Sequence, residues 1–353
     1  MVGDSSSLTT RTASIDDEIS AVHPDVIRTH ILTRLDGPAL ASAASASSML
    51  HHLSTEENLW LHICNREWPS TAEPRLRDLI STFPSGHRSF FSDSFPTLQH
   101  RVRRTNSSQP AGNVIAAVDI SYKNDPIYSK VQETQTETMV GLELCSQFRI
   151  DLLDPKETIP VPSNLDYRDN ACESDLGENL SVSWILIDPT RKRSGNFSSS
   201  RPVLVDRNWL TGDIQLRFAT VLAGDRAGEF VQCVVMVTCG GRGRGDLHVR
   251  EVSLQVEDIE GKQLTWKDSL VILKQAIEKG ERRKKNAAEE KEWYELFVKM
   301  KRERRERKRR GETRLELACI ASAVSIFVAF WVFVTVRFFQ LLQLFCGSTS
   351  GQS

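Results

Sequence analysis

From Leu317 to Val336 the chain runs for 20 residues without a charge and is rich in Ala, Val, Ile, Phe and Trp. A helix rises about 1.5 Å per residue, so such a run spans about 30 Å, the thickness of a bilayer's hydrocarbon core. Leu317, Ile320, Val324, Phe327, Trp331 and Val336 would then meet lipid. The competing reading is a buried core helix, but helices of soluble cores usually carry a polar face over this length. Glu316 and Arg337 bracket the run, and Phe338, Phe339, Leu341, Leu342, Leu344 and Phe345 extend it. A tilted transmembrane segment over 315–346, with Arg337 snorkelling, accommodates both features.

The flanks orient that segment. Lys301 to Arg310 reads KRERRERKRR, eight cations in ten residues, whereas the far side offers only Arg337. The positive-inside bias therefore expects the large N-terminal part in the cytosol, facing the endoplasmic reticulum or nuclear envelope, with the nucleus as the alternative location. Only a short tail, 347–353, follows the segment, which reads as a tail anchor inserted after translation. Residues 1–20 are Ser/Thr-rich, lack the apolar stretch of a signal peptide and are expected to be disordered. The sequons at Asn106, Asn179 and Asn196 would then go unglycosylated.

Charge is segregated along the chain. From Lys279 to Arg314 there are 16 basic and 8 acidic residues, net +8, in a chain whose total is −1. The spacings Glu295–Lys299, Glu303–Arg307 and Glu306–Arg310 predict a basic juxtamembrane helix within 279–314, with Gly311 as a break. Lys301, Arg302, Arg304, Arg305, Arg307, Lys308, Arg309 and Arg310 form a patch suited to anionic lipid, at about 1 kcal/mol per cation near the surface. An import signal has the same composition; nucleic acid is the disfavoured partner, because the neighbouring span already accounts for the cations. Seven cysteines without a CxxC pair fit a reducing compartment.

Near the other end, stop and start signals outline a helical module. Pro24 suits a first helical turn, Ile27, Ile31 and Leu35 fall at i, i+4, i+8, and Asp36-Gly37-Pro38 ends the segment. A second helix presents Leu40, Ala43, Ala44, Ser47 and Leu50; a third, capped by Thr55, turns Leu59, Trp60 and Ile63 inward. So small a helical piece has a thin core and gains by covering an apolar face with a partner. Plain scaffold is the alternative.

The order Pro24-Asp25-Val26-Ile27, Ile31-Leu32, Leu35, Leu40, then Leu50 and Leu59-Trp60, resembles the F-box. Val22-His23 replace the usual Leu before the proline, and Ser45-Ala46-Ser47-Ser48 stand where Val-Cys-Arg is common. The resemblance implies docking on a Skp-type adaptor, and through it on a cullin–RING ubiquitin ligase, by Pro24, Ile27, Ile31, Leu35, Leu40, Leu50, Leu59 and Trp60. The stretches Cys64 to Ser70 and Phe83 to Pro96 are similar to a group of plant F-box proteins, some with a hydrophobic tail. That likeness implies recruitment of a protein substrate without naming one. His87 and Arg88 after Gly86 read either as an anion site or as an exposed turn.

After a Ser/Asn/Pro/Gly-rich linker at 103–112 the hydrophobic period changes from helical to alternating. Strands are expected at Val114–Tyr122, Ile127–Val131, Phe148–Leu153, Leu180–Ile187, Val203–Trp209, Ile214–Leu222, Phe230–Thr238 and Leu247–Val256, with a bulge at Arg250-Glu251. A run of antiparallel strands without helices between them points to a β-sandwich or jelly roll. The order of Trp209 to Ile214, a strand, a Gly turn and Leu247 to Val256 is distantly similar to phloem lectin-like jelly rolls; Trp184, Trp209 and Trp266 suit a sugar groove or a core equally. No catalytic or metal-binding pattern is present: Cys233 and Cys239 lack nearby histidines, and Gly240 to Gly245 lacks the Gly-Lys-Ser/Thr of a phosphate loop. No cofactor is expected. Helical residues from Ser269 close the domain, and Trp293, Tyr294, Leu296, Phe297 and Met300 form a stripe suited to sheet packing or to a membrane interface.

The expected organisation is α+β: an F-box at 21–66, a helical extension at 67–102, a β-rich recognition domain at 113–278, the basic helix and the membrane segment. The function implied is a non-catalytic, membrane-tethered substrate receptor. The alternative is a membrane-anchored scaffold or lectin-like binder.

Overall fold

The computed structural model describes residues 22–99, 112–134, 141–163, 165–224, 229–242, 246–284 and 286–347. The segment expected to be disordered at 1–20 lies outside them, as do the expected linker at 103–112 apart from Gly112 and the expected tail at 347–353 apart from Gly347. Contacts divide the chain into two units, Met1–Phe297 and Val298–Ser353.

The first unit opens with helices: α1 (Pro24–Val26), continued by a π-turn (Ile27–Ile31) and a 3₁₀ turn (Leu32–Arg34), then α2 (Gly37–Ala43), α3 (Ser48–Ser54) and α4 (Glu57–Glu67). After a 3₁₀ turn (Pro69–Ala72) come α5 (Pro74–Ser81) and α6 (Gly86–Ser94). Asp36 does more than end the first segment. Its carboxylate accepts from Ala39 N–H at 2.8 Å and caps α2. Gly37 permits that helix to approach α6, since a Cβ there would fall 2.0 Å from Cζ of Phe91. We expect Gly37→Val to cost about 2 kcal/mol or more through overpacking, read as a lower midpoint in urea unfolding.

Among the described residues, twelve strands form two sheets. The first has the order β12-β1-β7-β6-β2-β3, from β1 (Thr97–Gln99), β2 (Val114–Tyr122), β3 (Asp125–Thr134), β6 (Leu180–Asp188), β7 (Arg193–Asn196) and β12 (Glu281–Arg283). The second runs β4-β11-β10-β9-β8, from β4 (Arg149–Asp151), β8 (Leu204–Arg207), β9 (Ile214–Ala223), β10 (Phe230–Arg242) and β11 (Asp246–Asp258), with β5 (Ile159–Pro160) also on β11. Helices α7 (Gly141–Leu144), α8 (Ala171–Asn179) and α9 (Trp266–Lys279) lie between strands in the chain. All eight expected strands are present, with ends shifted by up to four residues. The bulge is where the alternation slips: Thr238 pairs with Glu251 and Cys239 with Val249, leaving Arg250 as the extra residue.

Burial explains why β2 and β6 read as nearly continuous apolar runs. Val118, Ile120, Trp184 and Leu186 enter a core shared with β9, β10, β11 and α9. Their alternate neighbours Ala117, Ile185 and Ile187 join the core of the helical head, with Trp68, Phe90 and Phe91. A central strand covered on both faces has no polar side to display. Polar ties fasten the same contact: Asp119, buried in β2, accepts from Ser70 N–H at 2.8 Å and Ser70 Oγ at 2.6 Å. Burial pushes its carboxyl above the usual range, against the lowering effect of those bonds. Asp93 of α6 receives both Nε (2.7 Å) and Nη2 (3.0 Å) of Arg193 and lies 3.3 Å from Nε of Arg282.

α10 runs from Ala287 to Gly347. Two expectations change here. Residues Glu281–Arg283 are not helical but pair with β1, and the helix continues through Gly311 without a break. One glycine costs a helix about 1 kcal/mol, which good helix formers on both sides offset once the helix is nucleated. Within the first unit, Tyr294 and Phe297 are buried, Tyr294 in a cluster with Val203 and Ala219. Tyr294 thus packs against the sheet, whereas Trp293 and Leu296 of the expected stripe are exposed. In the second unit Glu303 pairs with Arg307 (3.6 Å) and Glu306 with Arg310 (3.8 Å), as the spacing predicts. Arg302, Arg304, Arg305, Lys308 and Arg309 are exposed on the same stretch, and Lys301 is half-buried at its start. Beyond it, Leu317, Ile320, Val324, Phe327, Trp331 and Val336 are all exposed, in a helix long and apolar enough to cross a membrane.

Candidate docking site

The first helical segment decides which side chains the head offers outward. His23 caps it, its ring Nδ1 accepting from Asp25 N–H at 3.3 Å. Pro24 begins it at a position where a backbone N–H would find no helical acceptor, so the missing donor costs nothing. The π-turn then inserts one residue per turn, with Leu32 N–H donating to Ile27 O. Regular helical spacing puts Ile27 and Ile31 on one face. The wider turn instead buries Ile27 with Leu32 and rotates Ile31 outward.

The result sorts the expected docking residues. Ile27, Leu40, Leu59 and Trp60 are buried within the head, where Trp60 Nε1 donates to Ser54 O at 2.7 Å and its ring lies 5.3 Å from Phe91. Their place is the core, because their own chain already covers them. Leu35 and Leu50 are half-buried at its margin. Pro24 is exposed, and Ile31 (48% exposed), Val26 (44%) and Val22 (38%) make an apolar surface along the first segment. Val22 precedes the helix and Val26 lies outside the Ile27–Ile31–Leu35 stripe, so a reading that follows that stripe passes both by.

That surface is held firmly. Arg28 pairs with Glu56 at 2.8 Å, tying the segment to the turn before α4, and Arg66 Nη2 donates to Leu35 O at 3.0 Å. Below it, His87 is neither an exposed turn nor an anion site. It is buried at the start of α6, with its ring Nδ1 against the Glu57 carboxylate and its N–H donating to Glu57 Oε1 at 3.0 Å. Gly86, at φ +52°, makes that approach possible.

A cavity of about 50 Å³ lies among Thr97, Leu98, Ala219, Thr220 and the start of α10, space for only a few waters. Its Glu290 already accepts from Thr97 Oγ1 at 2.6 Å and Ser200 N–H at 2.8 Å. Cys233 and Cys239 are fully buried, and burial pushes both thiols far up, so they act as small apolar fillers. Trp184 and Trp266 are buried, whereas Trp209 projects from the turn between β8 and β9.

These features define an α+β protein that leaves apolar side chains exposed, on a helical head foremost, and carries a long apolar helix. No protein-family model matches the chain, nor does any solved structure. Curated relatives do match. It is 45% identical to the F-box protein At2g27310 of Arabidopsis thaliana, over 91% of this chain and 97% of the relative. It is 44% identical to the F-box protein At3g44326 of the same plant, over 87% of each. The chain belongs to the plant F-box proteins.

Proposed function

We propose that the chain is the substrate-recruiting subunit of an SCF-type cullin–RING ubiquitin ligase, tethered to a membrane by α10. The observation that carries this reading is the apolar surface of Val22, Val26 and Ile31, left outward at the position where the sequence resembles an F-box. A Skp-type adaptor would cover it. The two sheets, as a sandwich-like recognition domain, would hold a protein target, and the joint core of head and sheet favours a fixed distance between target and ligase. No side chain of this chain would take part in ubiquitin chemistry. Its effect would be proximity, raising the local concentration of target around the charged ligase. Co-purification with a Skp-type adaptor tests the reading, and failure to recover adaptor with the unaltered chain overturns it.

In the same reading, the residues from Leu317 to Val336 cross the bilayer and Lys301 to Arg310 lie against anionic headgroups on the cytosolic side. Val324→Lys plus Val328→Lys would place two charges near mid-bilayer, at about 3 kcal/mol each on insertion scales. We expect the variant to leave the carbonate-resistant membrane fraction for the supernatant. Protease added to intact microsomes should digest the unaltered chain down to its span; protection of residues 22–297 would reverse the orientation.

A further inference from the structure

We propose that the turn joining β8 to β9 is a docking tip, and that its occupant is a polypeptide segment carrying an apolar side chain next to a basic one. This rests on the substrate-receptor reading and names the surface through which the target would be held. Trp209 is 91% exposed and Leu210 75%, the two most exposed large apolar side chains among the described residues of the first unit. Leu204 and Asp206, also exposed, alternate on the strand leading into them.

The turn is built to present that pair. Asn208 N–H donates to Asp213 O and Gly212 N–H to Asn208 O, both at 2.8 Å, closing the loop. Asn208 Oδ1 accepts from Leu210 N–H at 2.9 Å and from Thr211 N–H at 3.3 Å, and Gly212 turns the chain at φ +74°. Arg207 anchors the base by donating to Tyr167 O (2.8 Å), Asp169 O (3.0 Å) and Gly212 O (3.3 Å) while pairing with Glu173 at 2.6 Å. Arg250, the bulge residue, donates to Asp213 at 3.0 Å from the other side. Because the loop is ordered without a partner, little conformational entropy remains to be lost on binding.

Charge selects the occupant. A loop that enters an anionic leaflet needs surplus cations around it. Here Arg207 is matched by Glu173 and Arg250 by Asp213, while Asp206 stands exposed outside those pairs. An exposed indole on a turn whose entering strand carries an exposed carboxylate attracts Lys or Arg, and Leu210, next to Trp209 in the turn, offers the apolar seat.

To test this, the full chain in detergent micelles is panned with a phage-displayed library of random peptides, with W209A/L210S as parallel bait. Peptides enriched on the unaltered chain should combine apolar and basic residues. Their affinity should fall about tenfold or more on W209A/L210S and also fall on Asp206→Lys, with unchanged thermal midpoints. Equal binding by W209A/L210S, or no enriched peptide, overturns the proposal. So does a photoreactive benzoylphenylalanine at position 209 that labels lipid in phosphatidylserine nanodiscs. Adaptor recovery is read in parallel: its retention by W209A/L210S separates failure at this tip from failure of the ligase reading.

Discussion

Val26→Asp combined with Ile31→Asp is expected to reduce recovery of a Skp-type adaptor by about 30-fold or more while leaving the fold intact. The two side chains lie outward on the first helical segment, so carboxylates there stay solvated in the free chain. Bound to an apolar partner, the same carboxylates would be desolvated without counter-charges, which costs several kcal/mol. Thermal unfolding should therefore hardly move, since surface changes of this kind lie within about 0.5 kcal/mol. Ile27→Asp is the matched contrast. Ile27 lies in the head's own core, and the substitution is expected to unfold the head. If the outward pair is replaced and adaptor recovery is undiminished, the docking surface is elsewhere.

The second large effect concerns the junction of head and sheet. Asp93→Ala removes the carboxylate shared by Arg193 and Arg282, of which Arg282 is mostly buried. Burial already holds the Arg282 guanidinium below its usual range, against the raising influence of Asp93. Without that anion the cation loses its compensation, and we expect a loss of about 3 kcal/mol. The measurement is the urea midpoint followed by tryptophan fluorescence, with Trp68 at the junction as the reporter. Replacing the whole cluster, D93L/R193M/R282M, should recover part of the loss, because a well-packed apolar set bears no uncompensated charge. Recovery to no degree at all would mean that geometry rather than charge balance sets the strength of this junction.

Much of the β architecture was legible because strand periodicity is local. Alternation from Leu180 to Trp184 or from Ile214 to Phe218 records which side chains a sheet must bury, and even the bulge at Arg250 shows as a one-residue slip. The segments that could not be read this way are β1, β5, β7 and β12, strands of two to four residues. Such strands have no period of their own, and they form because a neighbouring strand edge needs partners for its peptide groups. Gly311 misled for a related reason, since helix continuity is cooperative and a single glycine is judged only with its flanks.

The sequence alone determined the apolar helix, the basic run before it and the identity of the longer strands, because each depends on composition or spacing within one segment. Only the tertiary structure decided which apolar residues of the head are spent on its own core. A π-turn moved burial from Ile31 to Leu32, the second face of β2 and β6 was given to Ala117, Ile185 and Ile187 against the head, and Trp209 was left in solvent. Those outcomes turn on contacts between residues far apart in the chain, where the energy of covering an apolar surface depends on which neighbour the fold brings to it.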